Sequence, residues 1–315
     1  MPNAIAYLDE STAAGWERTL YAFLAEKERR SGSTRTVQSY SRMLHDFFGR
    51  ASKTPDQTTA QDVFAWAYGV GLSGRQPSSV TIGARLACLS SFYRFLIRMK
   101  VVVSNPCEAI ERPRVLPGIA RGMSGEQIHK LLAVLPRTPV GLRDRAIILT
   151  LTFTGRRRAE ILGLTAGSIS VEGAVYYTYR GKGAKTGKRE LPQPAFNSIT
   201  SWLDVVGKDL ATMRADESLW PDTRNGRGIT SGTFYTNLRR YLKTAGLPAG
   251  GVHIFRHSAA KLRRDAGESI EDVSRFLDHS SLAVTTTYLR RLEGQEDKSW
   301  AKVAEAIGIN PYSSM

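Results

Sequence analysis

Residues 253–288 read HIFRHSAAKLRRDAGESIEDVSRFLDHSSLAVTTTY. Helical patterns run through this stretch at 255–266, 270–277 and 282–288, and Gly267 follows the first of them, where a left-handed cap suits glycine. His253 and Arg256 are three residues apart and can share one side of a helix start. His257 falls elsewhere on the turn and reads as a structural hydrogen-bonding residue. His279 and Tyr288 follow, in a last quarter where Arg and Lys outnumber the acids. Cationic donors hold and polarise a phosphate, and a positioned tyrosine oxygen can attack one. A bare phenol has a pKa of about 10, so at neutral pH it needs such surroundings to act as a nucleophile. The stretch predicts phosphoryl chemistry on a polyanion, carried by a helical domain.

Upstream, Thr154-Gly155-Arg156-Arg157-Arg158-Ala159-Glu160 places a glycine turn before a helix predicted over 157–163. Guanidinium groups at a helix N-terminus oppose its dipole, and a bound anion would offset the conflict. Three arginines in a row are otherwise ordinary surface charge. Val175 to Tyr179 and Arg189 to Leu191 are short strand candidates, joined by a basic hairpin tip over Gly181 to Lys188. That tip lacks the GxxxxGK[ST] spacing of a nucleotide-binding loop, and a lysine-rich β-tip reaching towards nucleic acid suits it better. Ser124-x-x-Gln127 is a capping-box signature for a helix over 125–135, and further helices are predicted near 140–152, 194–206 and 231–245.

The segment Ser104 to Gly122 holds Pro106, Pro113 and Pro117 and reads as an extended linker. Before it, helices are predicted over 12–30, 34–48 and 59–70. Ile82, Leu86, Leu89, Tyr93 and Leu96 then follow a four–three–four–three spacing that puts them on one helical face. Arg75, Arg85, Arg94 and Arg98 fall off that face and are candidates to meet phosphates, or plain solvated cations. The expected fold class is therefore mostly α with a small β-hairpin or sheet. The expected domains are residues 1–104, a linker over 105–122 and a second domain over 123–315.

The chain has 315 residues and a formal charge of +15. Residues 1–104 carry 13 basic and 8 acidic residues and residues 105–315 carry 31 and 21, so the excess lies in both halves. A partner that touches both, DNA or RNA, is the usual reading of such a balance. The apolar run Ala146 to Phe153 is far shorter than a membrane span, and no membrane partner is expected. The first ten residues show no secretory signal, and two cysteines, Cys88 and Cys107, form no disulfide framework. A cytoplasmic, nucleoid-associated location is the expectation. Neither an HExxH motif nor a carboxylate cluster points to a metal, so no metal and no cofactor are expected.

Taken in order, TGxRxxE, GKG in a hairpin, HxxR, and a His nine residues before a Tyr resemble the tyrosine recombinases of the phage-integrase and Xer type. Here these are Thr154 to Glu160, Gly181-Lys182-Gly183, His253 to Arg256, and His279 with Tyr288. Leu277-Asp278-His279-Ser280-Ser281 is similar to the family's LGHSS. The likeness spans about 10–300, with the N-terminal unit resembling the family's SAM-like core-binding domain.

The resemblance implies a two-domain, C-shaped clamp on duplex DNA, formed by a core-binding domain and a catalytic domain. Arg157 and Arg256 would hold the scissile phosphate, with Arg156 and Arg158 as rivals for the first of these roles. Tyr288 would be the nucleophile and Lys182 the general acid, with Lys185 and Lys188 as rivals or further DNA contacts. His253 and His279 would donate hydrogen bonds to the phosphate, and Glu160 would brace the arginines. The product would be a 3′-phosphotyrosyl link, resolved through a Holliday junction without ATP or metal. Double-stranded recombination sites are the implied partner and a homotetramer on DNA the implied assembly, with exchange of the tail over Trp300 to Ile309 between subunits.

Two positions depart from the pattern. Asp278 stands where the family has glycine, and Arg156 where it has an apolar residue. Asp tolerates a left-handed turn, but a carboxylate beside an anion site would weaken phosphate binding or tune His279. The rival functions are a type IB topoisomerase-like nicking-closing enzyme and a non-catalytic DNA-binding protein on the same fold.

Overall fold

Residues 13–71, 74–114, 122–181 and 186–278 are described by the computed structural model, and the chain forms two compact units, Met1–Leu116 and Pro117–Met315.

In the first unit, α1 (Ala13–Ser31), α2 (Thr34–Ala51), α3 (Ala60–Tyr68) and α4 (Ser79–Arg98) surround one apolar core. Ser33, Thr59 and Ser78 cap α2, α3 and α4 by accepting from the backbone N–H three residues on. At α3 the Asp62 carboxylate returns to the Thr59 N–H at 2.9 Å and closes a capping box. The stripe read from the sequence, Ile82, Leu86, Leu89, Tyr93 and Leu96, is buried, and Cys88, Phe92 and Phe95 widen it. Burial of each large apolar side chain contributes about 1.5–3 kcal/mol, so α4 is the unit's central support. By length and composition α4 could cross a membrane, but more than half of it is buried inside this unit, as in a core helix.

Two readings meet contacts that the sequence does not show. The segment predicted as a linker from 105 starts as part of the first unit: Cys107 is buried in its core and Ile110 packs against it. Asn105 causes this, because its amide donates to Ser90 Oγ at 3.0 Å while its carbonyl accepts from the Cys107 N–H at 3.1 Å. Arg85, read as a candidate phosphate contact, is instead engaged by the protein's own backbone. Its Nη1 donates to the carbonyls of Trp66, Ala67 and Gly69 at 2.8, 3.1 and 2.9 Å, satisfying the orphan C-terminal groups of α3. Arg98 is paired with Glu26 of α1 at 2.7 Å, whereas Arg94 is exposed with no hydrogen bond or ion pair among the described residues. A surface pair is worth about 0–1 kcal/mol, so Arg98 can exchange Glu26 for a phosphate at little cost.

The second unit contains α5 (Gly125–Ala133), α6 (Pro139–Thr154), α7 (Arg158–Leu162), a sheet, α8 (Gln193–Val205), α9 (Ser231–Thr244), α10 (His253–Asp265) and α11 (Ile270–Phe276). The capping box read at Ser124 and Gln127 is formed. Ala146, Ile147, Ile148 and Leu151 of α6 lie in a core with Trp202, Trp220, Phe234 and Phe255. A buried polar knot ties α6 to α9: Asp144 accepts from Arg143 at 2.9 Å, Asn237 at 2.8 Å and Tyr241 at 3.0 Å.

The sheet is antiparallel in the order β1 (Ile169–Glu172), β2 (Ala174–Arg180), β3 (Thr186–Glu190). β1 is absent from the sequence reading, being four half-exposed or exposed residues joined to β2 through Gly173 at φ +78°. β3 starts earlier than expected, so Lys188 sits in a strand opposite Thr178 and not on the hairpin tip. Its ammonium bonds Glu172 of β1 at 2.7 Å and lies 5.0 Å from the centre of the Tyr176 ring, which makes it a sheet brace. Lys182 and Lys185 of the tip, His279, Tyr288, the helix predicted over 282–288 and the tail lie outside the described residues.

Candidate phosphate-binding site

Two turns meet in the second unit. One, over residues 154–157, joins α6 to α7; the other, over residues 276–278, ends α11. Gly155 caps α6 at φ +60°, and a Cβ there would stand 2.7 Å from Leu277 and 2.8 Å from Phe276. Glycine is required twice at this position, for its left-handed backbone and for the close approach.

Arg256, in the first turn of α10, bridges the two turns. Its guanidinium donates to Gly155 O at 2.9 Å and to Leu277 O at 2.6 Å, and the residue is 5% exposed. α10 begins at His253, two residues earlier than predicted, so His253 and Arg256 stand one turn apart on one helix.

The three consecutive arginines have different tasks. Arg156 is 1% exposed and binds Thr154 O at 3.2 Å, Tyr179 Oη at 2.8 Å, the carbonyl of Phe276 and the carboxylate of Asp278. Its guanidinium is taken up by the protein's own acceptors. Arg157 is the N-cap of α7; Glu160 accepts from its backbone N–H and from its Nη1, both at 2.8 Å. The Glu160 carboxylate neutralises charge where the dipole of α7 is unfavourable to cations. The Arg157 side chain stays 40% exposed, and no other hydrogen bond engages it among the described residues. Arg158, half-buried at the start of α7, remains close enough to His253 to act on it.

His253 is exposed by surface area yet partly desolvated by the protein around it. Its pKa is pushed below the ordinary 6.5, first by desolvation and then by the charges of Arg158, Arg256 and Arg157. The imidazole is therefore neutral at pH 7 in the absence of an anion. Because the folded value lies below the unfolded one, the site is not penalised above pH 6.5 and loses stability as pH falls from 6.5 through the folded value. An NMR titration of the His253 ring should give a midpoint below 6.5 that rises when DNA is added; a midpoint at or above 6.5 in free protein would remove the cationic surroundings.

Asp278 adopts φ +52°, the left-handed turn expected for glycine. Its carboxylate does not point unpaired at an anion site. One oxygen accepts from Arg156 and from Tyr179 Oη, and the other from Arg189 at 2.8 Å. Desolvation opposes its ionisation, but Tyr179, Arg156 and Arg189 outweigh it and hold the carboxyl below the usual range.

Tyr179 and Arg189 were not singled out from the sequence. Only the sheet register, which pairs Tyr179 with Gly187 and Tyr177 with Arg189, brings them to Asp278. A Cβ on Gly187 would stand 2.5 Å from the Tyr179 ring, so a glycine makes room for that ring. The outer face of α9 was also missed: Tyr235, Arg239, Arg240 and Lys243 are exposed while Phe234, Leu238, Tyr241 and Leu242 face the core. Its signal was present in the 3.6-residue period of the basic and apolar positions.

Residues 121–294 match the model of the phage integrase family, and residues 17–100 match that of the phage integrase N-terminal SAM-like domain. The chain belongs to the phage integrase family. This member is 30% identical over 278 residues to tyrosine recombinase XerC of Alcanivorax borkumensis, covering 86% of the chain and 88% of that protein. It is 28% identical over 269 residues to XerC of Roseiflexus castenholzii, covering 83% and 84%. Among solved structures, a lambda integrase tetramer bound to a Holliday junction superimposes with TM-score 0.70 at 16% identity, covering 94% of this chain and 82% of that one. XerH bound to difH gives 0.64 at 21% identity, covering 87% and 82%. The mostly helical fold with one small antiparallel sheet is thus that of the integrases.

Proposed function

We propose that this integrase-family chain is a tyrosine-type site-specific DNA recombinase that cleaves and rejoins duplex DNA through a 3′-phosphotyrosyl link. The convergence of Arg157, His253 and Arg256 around the Gly155 turn, beside the residue that leads into His279, carries the reading. Arg157 and Arg256 take the two non-bridging oxygens of the scissile phosphate. Fixed guanidinium donors aimed at developing charge contribute about 2.7–4 kcal/mol each to lowering a barrier. Tyr288 Oη attacks phosphorus as its phenolic proton passes to a neutral imidazole of the site, the bond to the 5′ oxygen breaks, and Lys182 protonates that oxygen. His253 and His279 donate to the phosphate. Reversal of the same steps by a 5′-hydroxyl from the partner strand completes exchange. One phosphodiester bond replaces another through the tyrosyl ester, so no external energy source is needed.

In this reading residues 1–104 bind DNA as the core-binding domain and residues 123–315 form the catalytic domain. Arg94 and Arg98, with Lys185 and the basic face of α9, add phosphate contacts. Exchange between two duplexes requires four cleavages, which calls for a homotetramer on DNA, with the tail after Tyr288 docking on a neighbouring subunit.

The test is a nicked duplex whose cleavage releases a short strand, so that rejoining cannot occur. Protein covalently attached to DNA should accumulate on a denaturing gel, in EDTA as in its absence. Absence of the adduct would overturn the proposal, and relaxation of supercoiled plasmid without strand exchange would move it to a nicking-closing enzyme. DNA affinity should fall with log salt at a slope of about −0.9 for each phosphate engaged. A flat salt response in a binding titration would exclude extensive backbone contact.

A further inference from the structure

Arg156 and Asp278, noted above as departures from the motifs the sequence resembles, bond each other across the site. Arg156 immediately precedes Arg157, and Asp278 immediately precedes His279. We infer that Arg156 and Asp278 form a cross-brace that ties the turn before Arg157 to the turn that ends α11, as positioning residues for the phosphate clamp of Arg157 and Arg256. The inference rests on the phosphotyrosyl reading above.

The brace has four members. Arg156 spans from the Gly155 turn to the end of α11, binding both the Phe276 carbonyl and the Asp278 carboxylate. Its guanidinium lies 4.8 Å from the Tyr179 ring centre and 5.7 Å from that of Phe276, so aromatic faces fix its plane. Tyr179 donates to the same carboxylate, and Arg189 takes its second oxygen at 2.8 Å. Both Asp278 oxygens are thereby engaged, and the two cations leave the group without a net negative charge to repel a phosphate.

Either substitution alone would damage the site. A buried arginine without its carboxylate is an uncompensated charge, and a carboxylate without its arginine is an anion beside an anion-binding site. An apolar residue paired with glycine, like arginine paired with aspartate, leaves no uncompensated charge at these two positions. Tyr179 and Arg189 come from the hairpin that carries Lys182, so the same brace fastens the base of that hairpin to the turn before His279.

Single-turnover adduct formation on the nicked duplex, at saturating DNA, tests this with Arg156→Leu, Asp278→Gly and the double variant. Each single change should slow cleavage by at least about tenfold with DNA Kd within about threefold, and the double variant should return to within about threefold of the parent. Losses that simply multiply in the double variant, or that appear in Kd and not in rate, overturn the brace. Thermal melting checks folding. Should Arg156→Leu fail to fold, Asp278→Asn, which keeps the shape and removes the charge, must still slow cleavage with Kd retained; an unchanged rate overturns the brace. A parent protein that forms no adduct overturns the phosphotyrosyl reading and the brace with it. Multiplicative losses in a parent that does form one overturn the brace alone.

Discussion

Tyr288→Phe protein should bind duplex DNA within about twofold of the parent affinity and form no covalent complex on a denaturing gel. Affinity survives because arginine and lysine contacts to the backbone supply most of it, and the substitution removes a hydroxyl without removing a charge. Cleavage should fall on the order of 10⁶-fold, the scale seen when a nucleophile is deleted from a site that otherwise stays assembled. Tyr177 and Tyr241 are pushed up to about 12 by burial, which keeps them protonated and out of reach of a duplex. An adduct that persists in the variant would place the nucleophile elsewhere in the chain.

Arg256→Lys should reduce cleavage by about 10²–10³-fold, even though the charge is kept. The parent guanidinium serves the carbonyls of Gly155 and Leu277 from two separate nitrogens and is the proposed ligand of the phosphate as well. An ammonium is a single point with three donors on a flexible stem and cannot span the same geometry. Of the two buried carbonyls, at least one would lose its donor, at a cost of about 1–3 kcal/mol. Thermal denaturation should therefore report a lower Tm alongside the kinetic loss. A variant with normal cleavage and lowered Tm would reduce Arg256 to a structural residue; normal values of both would show that the bridge between the turns is dispensable.

Local signals carried the sequence reading a long way. The capping box at Ser124, the apolar stripe on α4 and the glycine turn at 155 each depend on residues a few positions apart, and each appears in the structure. The readings that changed depend on partners far away in sequence. Arg85 lies off the apolar stripe as a phosphate ligand would, yet the uncapped end of α3, 16–19 residues earlier, claims it. Lys188 belongs to a basic cluster, but the register of β3 points it at Glu172. Asn105 and Cys107 lie in a proline-bearing segment, and only the tertiary fold shows Ser90 waiting for the first. At the site itself, motif order named Arg157, His253 and Arg256, whereas separating Arg156 from Arg157 needed the pairing of Arg156 with Asp278, 122 residues away.

Among the described residues the two main apolar cores share no residue: one is built from residues up to Cys107 and the other begins at Met123. Each half of the chain can thus accumulate substitutions under its own selective pressure. A change of target preference written into the helices of the first unit leaves the bonds that align Arg157, His253 and Arg256 untouched. Lineages of such proteins should therefore diverge fastest in their first hundred or so residues, and chimaeras joined between the two cores are the natural starting point for redirecting one.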